Sequence, residues 1–417
     1  MLVRGARQLL TLRGAPGPRR GPQLSDLGLV ADGAILIVDG VVQESGPARR
    51  IENLAAARRA VELDVSGKVV LPAFVDPFTF IQGLPVRGSD YDAALSAPVR
   101  TLAVERRIEE ALTRHRRQAS GGKLAFHSAR VLQEMVRHGI GAIEIHSGVG
   151  IDESPGSKYL RTTARRVGIP LDVTHSLLIG HPGLQEFNGL EEDYVRWVSD
   201  VLLPRHVRRD SADAAAICLG FGVLDAGQAY DCLAAAGRSG LRLSVIRGPE
   251  DDGAAVELAL RTRCAALAGL SNLAPSALEA LAGSSTAAVL RPMLHWHQWR
   301  GAEPARELVA RGAAIALSTG WHPVFAPSAS MPTVISLACS AYGLRTAEAI
   351  SAATVNAAYA MGLLGSHGSL EPGKQGNFLV LSAPDYRDLP VTLGVNPVEA
   401  VVKRGAVVWQ KSNVEWP

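Results

Sequence analysis

Six histidines are the residues of this sequence best suited to chemistry, because most of them lie at or just past the ends of segments with strand-like composition. They are His146, His175, His181, His295, His297 and His322. A neutral imidazole ligates transition metals, and its ordinary pKa of about 6.5 also suits a general base near neutral pH. We expect no cofactor, but on an extended loop His295 and His297 could converge on one ion, so one interpretation is a relocated Zn or Fe site completed by His322 or His181. Two alternatives remain: a general base in a metal-free reaction, or residues that cap the fold or contact a partner.

Other catalytic signatures are missing from the sequence. No Gly-x-Gly-x-x-Gly follows a strand-like segment, and no Gly-x₄-Gly-Lys-Ser/Thr is present, so a nucleotide-binding fold is not indicated. Ser147 precedes Gly148, but the run is not the Gly-x-Ser-x-Gly of a nucleophile elbow.

The elements that must position the histidines alternate between short apolar runs and helical patterns. We identify eight strand-like runs, namely Val69–Val75, Ala142–Ile145, Leu171–Leu177, Ala214–Leu219, Leu241–Ile246, Cys264–Leu267, Ala287–Leu290 and Ala314–Leu317. Uniformly apolar strands are typical of parallel sheets buried on both faces, so the sequence predicts an α/β protein with a (β/α)₈ TIM barrel. A doubly wound open sheet is the alternative.

Both ends of the chain differ from the barrel region, because their residue pattern is that of short strands and turns. Asp39-Gly40 joins two β-rich runs as in a tight hairpin, and Phe378–Leu381 begins another set of strands. We therefore predict a small β-sandwich built from residues 1–68 and 365–417, beside a barrel of residues 69–364.

Composition excludes several classes of protein. The 417 residues carry 43 basic and 40 acidic side chains, a net charge of +3, which is too balanced to indicate a nucleic-acid or membrane surface. The basic stretch Arg106 to Arg117 is interleaved with Glu105, Glu109 and Glu110 at helical spacing, so we interpret it as a solvated helix face. Dispersed cysteines and the absence of an apolar leader predict a cytoplasmic protein with no membrane partner.

Several motifs in the same order resemble imidazolonepropionase, an amidohydrolase-superfamily family that opens a cyclic amide in histidine breakdown. They are Val70–Phe80, Gly141–Asp152, Gly180-His181, Leu317–Pro323, Ala353–Ala358 and Gly368–Lys374. The resemblance covers nearly the whole chain. It implies the barrel fold, metal-dependent hydrolysis of a C–N bond and a homodimer.

The chain departs from this family at the positions that hold the metal. The resemblance places the first two metal histidines on Phe78 and Phe80, the third on Ile246, and the metal aspartate on Gly320. The glutamate that works on the metal-bound water falls on Pro249. Phenyl and alkyl side chains have no lone pair for an ion, so we expect no metal at the family site.

Residues at the family's substrate-contacting positions are partly retained. Arg87 matches an arginine that holds the substrate carboxylate, His181 matches a histidine, and His146 and Ser147 stand in the run that follows the second barrel strand. They predict a small, carboxylate-bearing ligand.

Three functions follow from this pattern. The first is a catalytically silent binding or regulatory protein that forms a homodimer or pairs with an active relative. The second is an enzyme with metal-free or relocated chemistry on a small cyclic amide or imidazole-like carboxylate, using His181, His295, His297 or His322. The third, persistence of the family reaction, would need another water-activating group.

Overall fold

Two eight-stranded sheets organise the protein, and one of them is the predicted parallel barrel. The computed structural model describes residues 1–81, 88, 92, 102–147, 168–181, 189–298 and 302–412. Eight parallel strands within these residues are hydrogen-bonded in sequence order. They are β6 (Phe74–Thr79), β7 (Ile140–Ser147), β8 (Asp172–Ile179), β9 (Ala214–Leu219), β10 (Arg242–Arg247), β11 (Ala266–Ala268), β12 (Ala287–Leu290) and β13 (Ile315–Leu317).

Helices surround this barrel, and the described ones follow most of its strands. Within the barrel region they are α2 (Leu102–Gln118), α3 (Gly121–Arg137), α4 (Glu191–Trp197), α5 (Leu203–Arg208), α6 (Ala226–Arg238), α7 (Ala254–Arg261), α8 (Pro275–Ala282), α9 (Pro292–Gln298), α10 (Ala305–Ala310), α11 (Met331–Ser340), α12 (Thr346–Ala352) and α13 (Val355–Ala360), while α1 (Ala48–Ile51) lies on the other sheet. A π-helical turn, Val198–Leu202, joins α4 to α5. None of the described helices is long and apolar enough to cross a membrane.

The barrel strands alternate between an inner and an outer face. Small side chains such as Ala142, Ala216, Ala266 and Ala287 fill the interior, whereas neighbours such as Ile143 pack outward against the helices. Because successive strand side chains point to opposite faces, one apolar run supplies both cores. This explains why the barrel strands are uniformly apolar segments in the sequence.

The predicted first barrel strand, Val69–Val75, is wrong in its extent. It is divided into β5 (Val69–Pro72), which belongs to the second sheet, and β6, which runs on through Pro77. Pro77 is tolerated because the β6–β7 register shifts between Asp76 and Thr79, so no ladder bond is needed from its missing N–H.

The barrel closes between β6 and β13 through side-chain contacts and a backbone hydrogen bond just past the strand ends, since no ladder pairs these two strands among the described residues. Ser318 Oγ lies within hydrogen-bonding distance of Asp76 and 2.8 Å from the Phe78 carbonyl oxygen. The Phe80 N–H donates to the Trp321 carbonyl oxygen at 2.7 Å. Burial raises the pKa of Asp76 to about 6, although Ser318 and Thr319 donate to it. These bonds fix the residues around Phe78 and Phe80.

The second sheet combines both chain ends, as predicted, and its strands form one mixed sheet. They are β1 (Leu2–Leu10), β2 (Leu29–Val38), β3 (Val41–Pro47), β4 (Glu62–Asp64), β5, β14 (Phe378–Leu381), β15 (Val398–Lys403) and β16 (Ala406–Gln410). The predicted hairpin is present, with Val38 opposite Val41 and positive φ at Asp39 (51°) and Gly40 (79°), as a two-residue turn requires.

One partly buried carboxylate ties the two sheets together. Asp172 on β8 contacts His367 Nε2 at 2.9 Å, Lys403 Nζ at 3.0 Å and Arg404 at 3.1 Å, all from the C-terminal region. Burial raises the pKa of Asp172, but the hydrogen bond from His367 and the charge and hydrogen bond of Lys403 outweigh it and lower that pKa to about 2. The stabilisation is therefore complete above the ordinary pKa of 3.8 and is lost as the pH falls toward 2.

We expect Asp172→Asn to lower the free energy of unfolding at pH 7 by about 2 kcal/mol. This value follows from the lowering of the Asp172 pKa from 3.8 to about 2, at about 1.4 kcal/mol per pKa unit. Urea unfolding at pH 7, 4 and 3 should show the difference from the unchanged protein shrinking as the pH falls. Asp193→Asn is the control, since this carboxylate lies in an exposed ion pair with Arg196. Equal losses for the two variants at every pH would contradict the assignment.

Candidate functional site

A cavity of about 100 Å³ opens at the carboxyl end of the barrel strands, where barrel proteins assemble their sites. Predicted residues of two kinds line it. The residues at the family's metal and base positions are Phe80, Ile246, Pro249 and Gly320, and the histidines are His181 and His322. The structure therefore brings these scattered sequence positions together at one place.

Phe78 and Phe80 form an aromatic wall beside this cavity. Both are buried, and their ring centroids are 5.1 Å apart in an edge-on arrangement. Their spacing of two along an extended chain points both rings to the barrel interior. The Phe78 ring also lies 4.2 Å from the His146 ring. Apolar carbon thus occupies the interior where the resemblance would place two imidazoles.

Arg291, which the sequence analysis did not identify, brings a positive charge to the same place. It directly follows β12, is 7% exposed and lines the cavity. Its guanidinium carbon lies 4.9 Å from the Phe78 ring centroid, a cation–π contact. A signal was present in the sequence, since Arg291 ends an apolar strand at the carboxyl face of the barrel.

Gly320 makes room for the Arg291 side chain. Its φ is +58°, and a Cβ added at this glycine would lie 3.3 Å from Arg291 Cδ. A larger residue here would be strained in its backbone and would crowd the arginine stem. Two of the family's metal positions, Phe78 and Gly320, are therefore in direct contact with Arg291.

His146 lies behind the aromatic wall and is fully buried. Burial, together with the charges of Arg242 and Arg291, lowers the pKa of His146 to about 3. The ring is therefore neutral at physiological pH. Its Nε2 lies 3.4 Å from Glu144 Oε1, and Glu144 also pairs with Arg242.

Glu109 on α2 reaches the cavity and contacts two of the predicted histidines. Its Oε1 is 2.8 Å from His322 Nε2, and its Oε2 is 3.7 Å from His181 Nε2. The interpretation of this stretch as a solvated face is wrong for Glu109, which is 4% exposed. Glu109 shares a face of the helix with Leu112, which packs against Val324 and Phe325. In the sequence, the helical spacing of Ile108 and Leu112 was the signal that this face of the helix is buried.

His322 has a defined tautomer in this arrangement. Its Nδ1 accepts the N–H groups of Val324 at 3.2 Å and Phe325 at 3.1 Å. The ring proton of neutral His322 is therefore on Nε2 and is donated to Glu109. Both ring nitrogens of His322 are therefore engaged, and His322 and His181 both line the cavity.

The loop conformation predicted for His295 and His297 is wrong, because both residues lie in helix α9. The expected convergence assumed an extended loop, and residues two apart in a helix do not share a face. His295 instead contacts the buried carboxylate of Glu303, Nε2 to Oε1 at 3.3 Å. Within the described residues, no group of three His, Cys, Asp or Glu side chains could hold a metal ion.

The remaining predicted site residues are not all in the described part of the structure. Arg87 lies outside it, as does the side chain of His297. Ser147 ends β7 and is buried, and residues 148–167 after it are also outside the described ranges.

Comparisons with known proteins agree with this architecture. The amidohydrolase family model matches residues 298–408. An imidazolonepropionase of Geobacillus kaustophilus is 31% identical over 98% of this chain and 97% of its own length. One of Chloroflexus aggregans is 32% identical over 98% of each chain.

Solved structures show the same fold at lower identity. A triazine hydrolase variant superposes with a TM-score of 0.75 at 17% identity, covering 97% of this chain and 94% of that one. Escherichia coli guanine deaminase gives a TM-score of 0.70 at 15% identity over 99% of both chains. With curated relatives above 30% identity along nearly its whole length, the chain belongs to the imidazolonepropionase family of the amidohydrolase superfamily.

Proposed function

We propose that this protein is a catalytically silent member of its family, which binds a small molecule in the barrel cavity without metal-dependent hydrolysis. The observation that carries the proposal is the contact between Arg291 and two positions, Phe78 and Gly320, that the resemblance assigns to metal ligands. An arginine and a phenyl ring together take the space in which an ion would be held.

The donor chemistry of the site does not fit a divalent metal. Phe78, Phe80, Ile246 and Gly320 offer no side-chain lone pair, and Pro249 has no acid or base to work on a water molecule. A metal in this superfamily would lower the pKa of its bound water toward 7. A guanidinium beside the same space opposes a second positive charge, and the apolar wall does not replace an ion's hydration.

A second candidate is metal-free chemistry that uses His181 as a general base. Its supporting observation is the Glu109 carboxylate, 3.7 Å from His181 Nε2 at the cavity. A carboxylate at this distance stabilises the protonated form of an imidazole through its charge. Turnover that survives removal of all metal and is lost in His181→Ala would favour this candidate.

Pairing with a second copy or with an active relative remains part of the proposal, as does a cytoplasmic location. Light scattering of the purified chain, alone and mixed with an active imidazolonepropionase, tests the pairing.

Elemental analysis combined with an activity assay tests the proposal as a whole. The protein, expressed in medium supplemented with zinc and iron, should contain far less than one metal ion per chain. It should also leave imidazolone propionate unchanged, with or without added Zn²⁺ or Fe²⁺. The Geobacillus kaustophilus relative is the positive control for both readings. A stoichiometric metal with turnover of this substrate would overturn the proposal.

A further inference from the structure

Two serine hydroxyls in the barrel strands have no hydrogen-bond partner among the residues that the structure describes. They belong to Ser176 on β8 and Ser244 on β10, which are 1% and 4% exposed. Nearly all buried hydroxyls in folded proteins bond to a protein group or to an ordered water, because an unsatisfied one destabilises the fold. These two hydroxyls therefore call for a partner that lies inside the barrel.

Both serine side chains belong to the interior face of the barrel. Ser176 is two residues before Leu178 on β8, and Ser244 is two residues before Ile246 on β10. Leu178 and Ile246 pack in the interior cluster with Phe78. Because successive side chains of a strand alternate between faces, residues two apart share a face, and the serines point inward as well.

The strand register places the two serines in one layer of this interior. Ser176 pairs with Ala214 on β9. Ser244 pairs with Ala216, two residues further along β9. A layer of a (β/α)₈ barrel takes four side chains from alternate strands, and its shear displaces the layer by about one residue per strand. An offset of two residues over two strands therefore makes Ser176 and Ser244 neighbours in the same layer.

The side chains of this layer are smaller than is usual. Bulky Val, Ile and Leu side chains dominate the layers of such barrels. Here two positions carry serine, and Ala216 on the intervening strand contributes only a methyl group to the interior. The region is separate from the cavity at the carboxyl face, since neither serine is among the residues that line that cavity.

His146 brings a third polar group to the same place. It lies directly opposite Ser176 in the β7–β8 register, on strands about 4.8 Å apart. Its neutral ring offers one donor and one acceptor. Its Nε2 is 3.4 Å from Glu144 Oε1 without the geometry of a hydrogen bond, and the Thr79 backbone also acts on the ring. A neutral imidazole therefore stands beside the two hydroxyls.

We infer that the barrel interior binds an ordered water molecule between Ser176 and Ser244, with His146 as its third partner. A buried water makes two to four hydrogen bonds, and three neutral groups of this kind match that number. Hydroxyls can donate or accept, so each adapts to the orientation of the water. The nearby charges of Glu144 and Arg242 pair with each other, which favours a neutral guest over an ion.

Oxygen-17 relaxation dispersion tests the inference, because it counts the water molecules that the full-length protein holds for long times. The double variant Ser176→Ala/Ser244→Ala should hold at least one such water fewer than the unchanged protein. Ser336→Ala is the control, since this buried hydroxyl already donates to the Pro332 carbonyl oxygen at 3.0 Å. Its count should be unchanged. A crystal structure of the unchanged protein should place a water about 2.5–3.0 Å from both serine oxygens.

Urea unfolding gives an independent reading with opposite signs. If a water bridges the hydroxyls, Ser176→Ala and Ser244→Ala each remove a satisfied hydrogen bond, and the urea midpoint should fall. If the hydroxyls are unsatisfied, alanine removes a buried polar group without a partner, and the midpoint should rise. A rise in both variants would overturn the inference.

Two further results would also overturn the inference. One is an equal count of long-lived waters in the unchanged protein and the double variant. The other is a bromide ion, located by its anomalous signal, between the two serines of a soaked crystal. If the double variant does not fold, the single variants and the crystal structure of the unchanged protein decide the matter. Metal content and turnover do not enter these readings, so the inference and the proposed function can fail separately.

Discussion

Replacement of Glu303 by alanine is expected to lower the free energy of unfolding by about 3–5 kcal/mol, as for one partner removed from a buried charged pair. The side chain is fully buried and contacts four groups. Oε1 lies 3.2 Å from the Leu270 N–H and 3.3 Å from His295 Nε2, and Oε2 accepts from the Arg291 N–H and the Tyr342 hydroxyl. Alanine would leave these groups without their acceptor, and each unsatisfied buried donor costs about 1–3 kcal/mol.

The pH dependence of this contribution has a definite sign. Burial raises the pKa of Glu303, but the hydrogen bond and charge of His295 and the charge of Arg291 outweigh it, so the pKa lies below its ordinary value of 4.5. The stabilisation is therefore complete above pH 4.5 and declines as the pH falls through the lowered pKa. Urea unfolding of the unchanged protein and Glu303→Ala at pH 7 and pH 4 measures both the loss and its decline.

Glu307→Ala is the matched control for this prediction. Glu307 lies on α10, four residues from Glu303, and pairs with Arg311 at 3.1 Å with 58% of its side chain exposed. Its loss should change the free energy of unfolding by less than about 1 kcal/mol. A loss in Glu303→Ala no larger than that of Glu307→Ala would refute the assignment of Glu303 as the anchor of the segment that carries Arg291.

Glu109→Ala should show the second large effect, a loss of about 2–3 kcal/mol of unfolding free energy, because a hydrogen bond to a buried charged group is removed. His322 would lose the acceptor of its Nε2 proton, while Val324 and Phe325 would continue to donate to its Nδ1. We also expect faster amide exchange over α2, since Glu109 joins this helix to the cavity wall. Nitrogen chemical shifts of His322 report the change at the ring.

Glu110→Ala separates this contact from a general effect on the helix. It removes a carboxylate one position along α2, on a face turned about 100° away. The control should keep the His322 signals and lose less than about 1 kcal/mol. An unchanged His322 spectrum in Glu109→Ala would show that the 2.8 Å contact between the two side chains is not maintained in solution.

Much of the fold could be predicted from the sequence because its cause is local. Apolar runs such as Ala214–Leu219 and Ala287–Leu290 must be buried on both faces, and they became β9 and β12 with the predicted bounds. The Asp39-Gly40 turn and the strand Phe378–Leu381 follow from the same kind of local preference. The division of Val69–Val75 does not, since Val69–Pro72 pairs with strands from both chain ends.

In the candidate site, too, some features follow from the sequence and others depend on the tertiary structure. The amino-acid sequence by itself determined that three of the family's metal positions carry a phenyl ring, an alkyl side chain and a glycine, at Phe78, Ile246 and Gly320. These groups cannot ligate an ion whatever the geometry. Only the tertiary structure placed Arg291 against Phe78 and Gly320, and Glu109 against His322. Such contacts join residues that are far apart in the chain, and burial and charge pairing depend on which surfaces meet. The spacing of residues along one element does not contain that information.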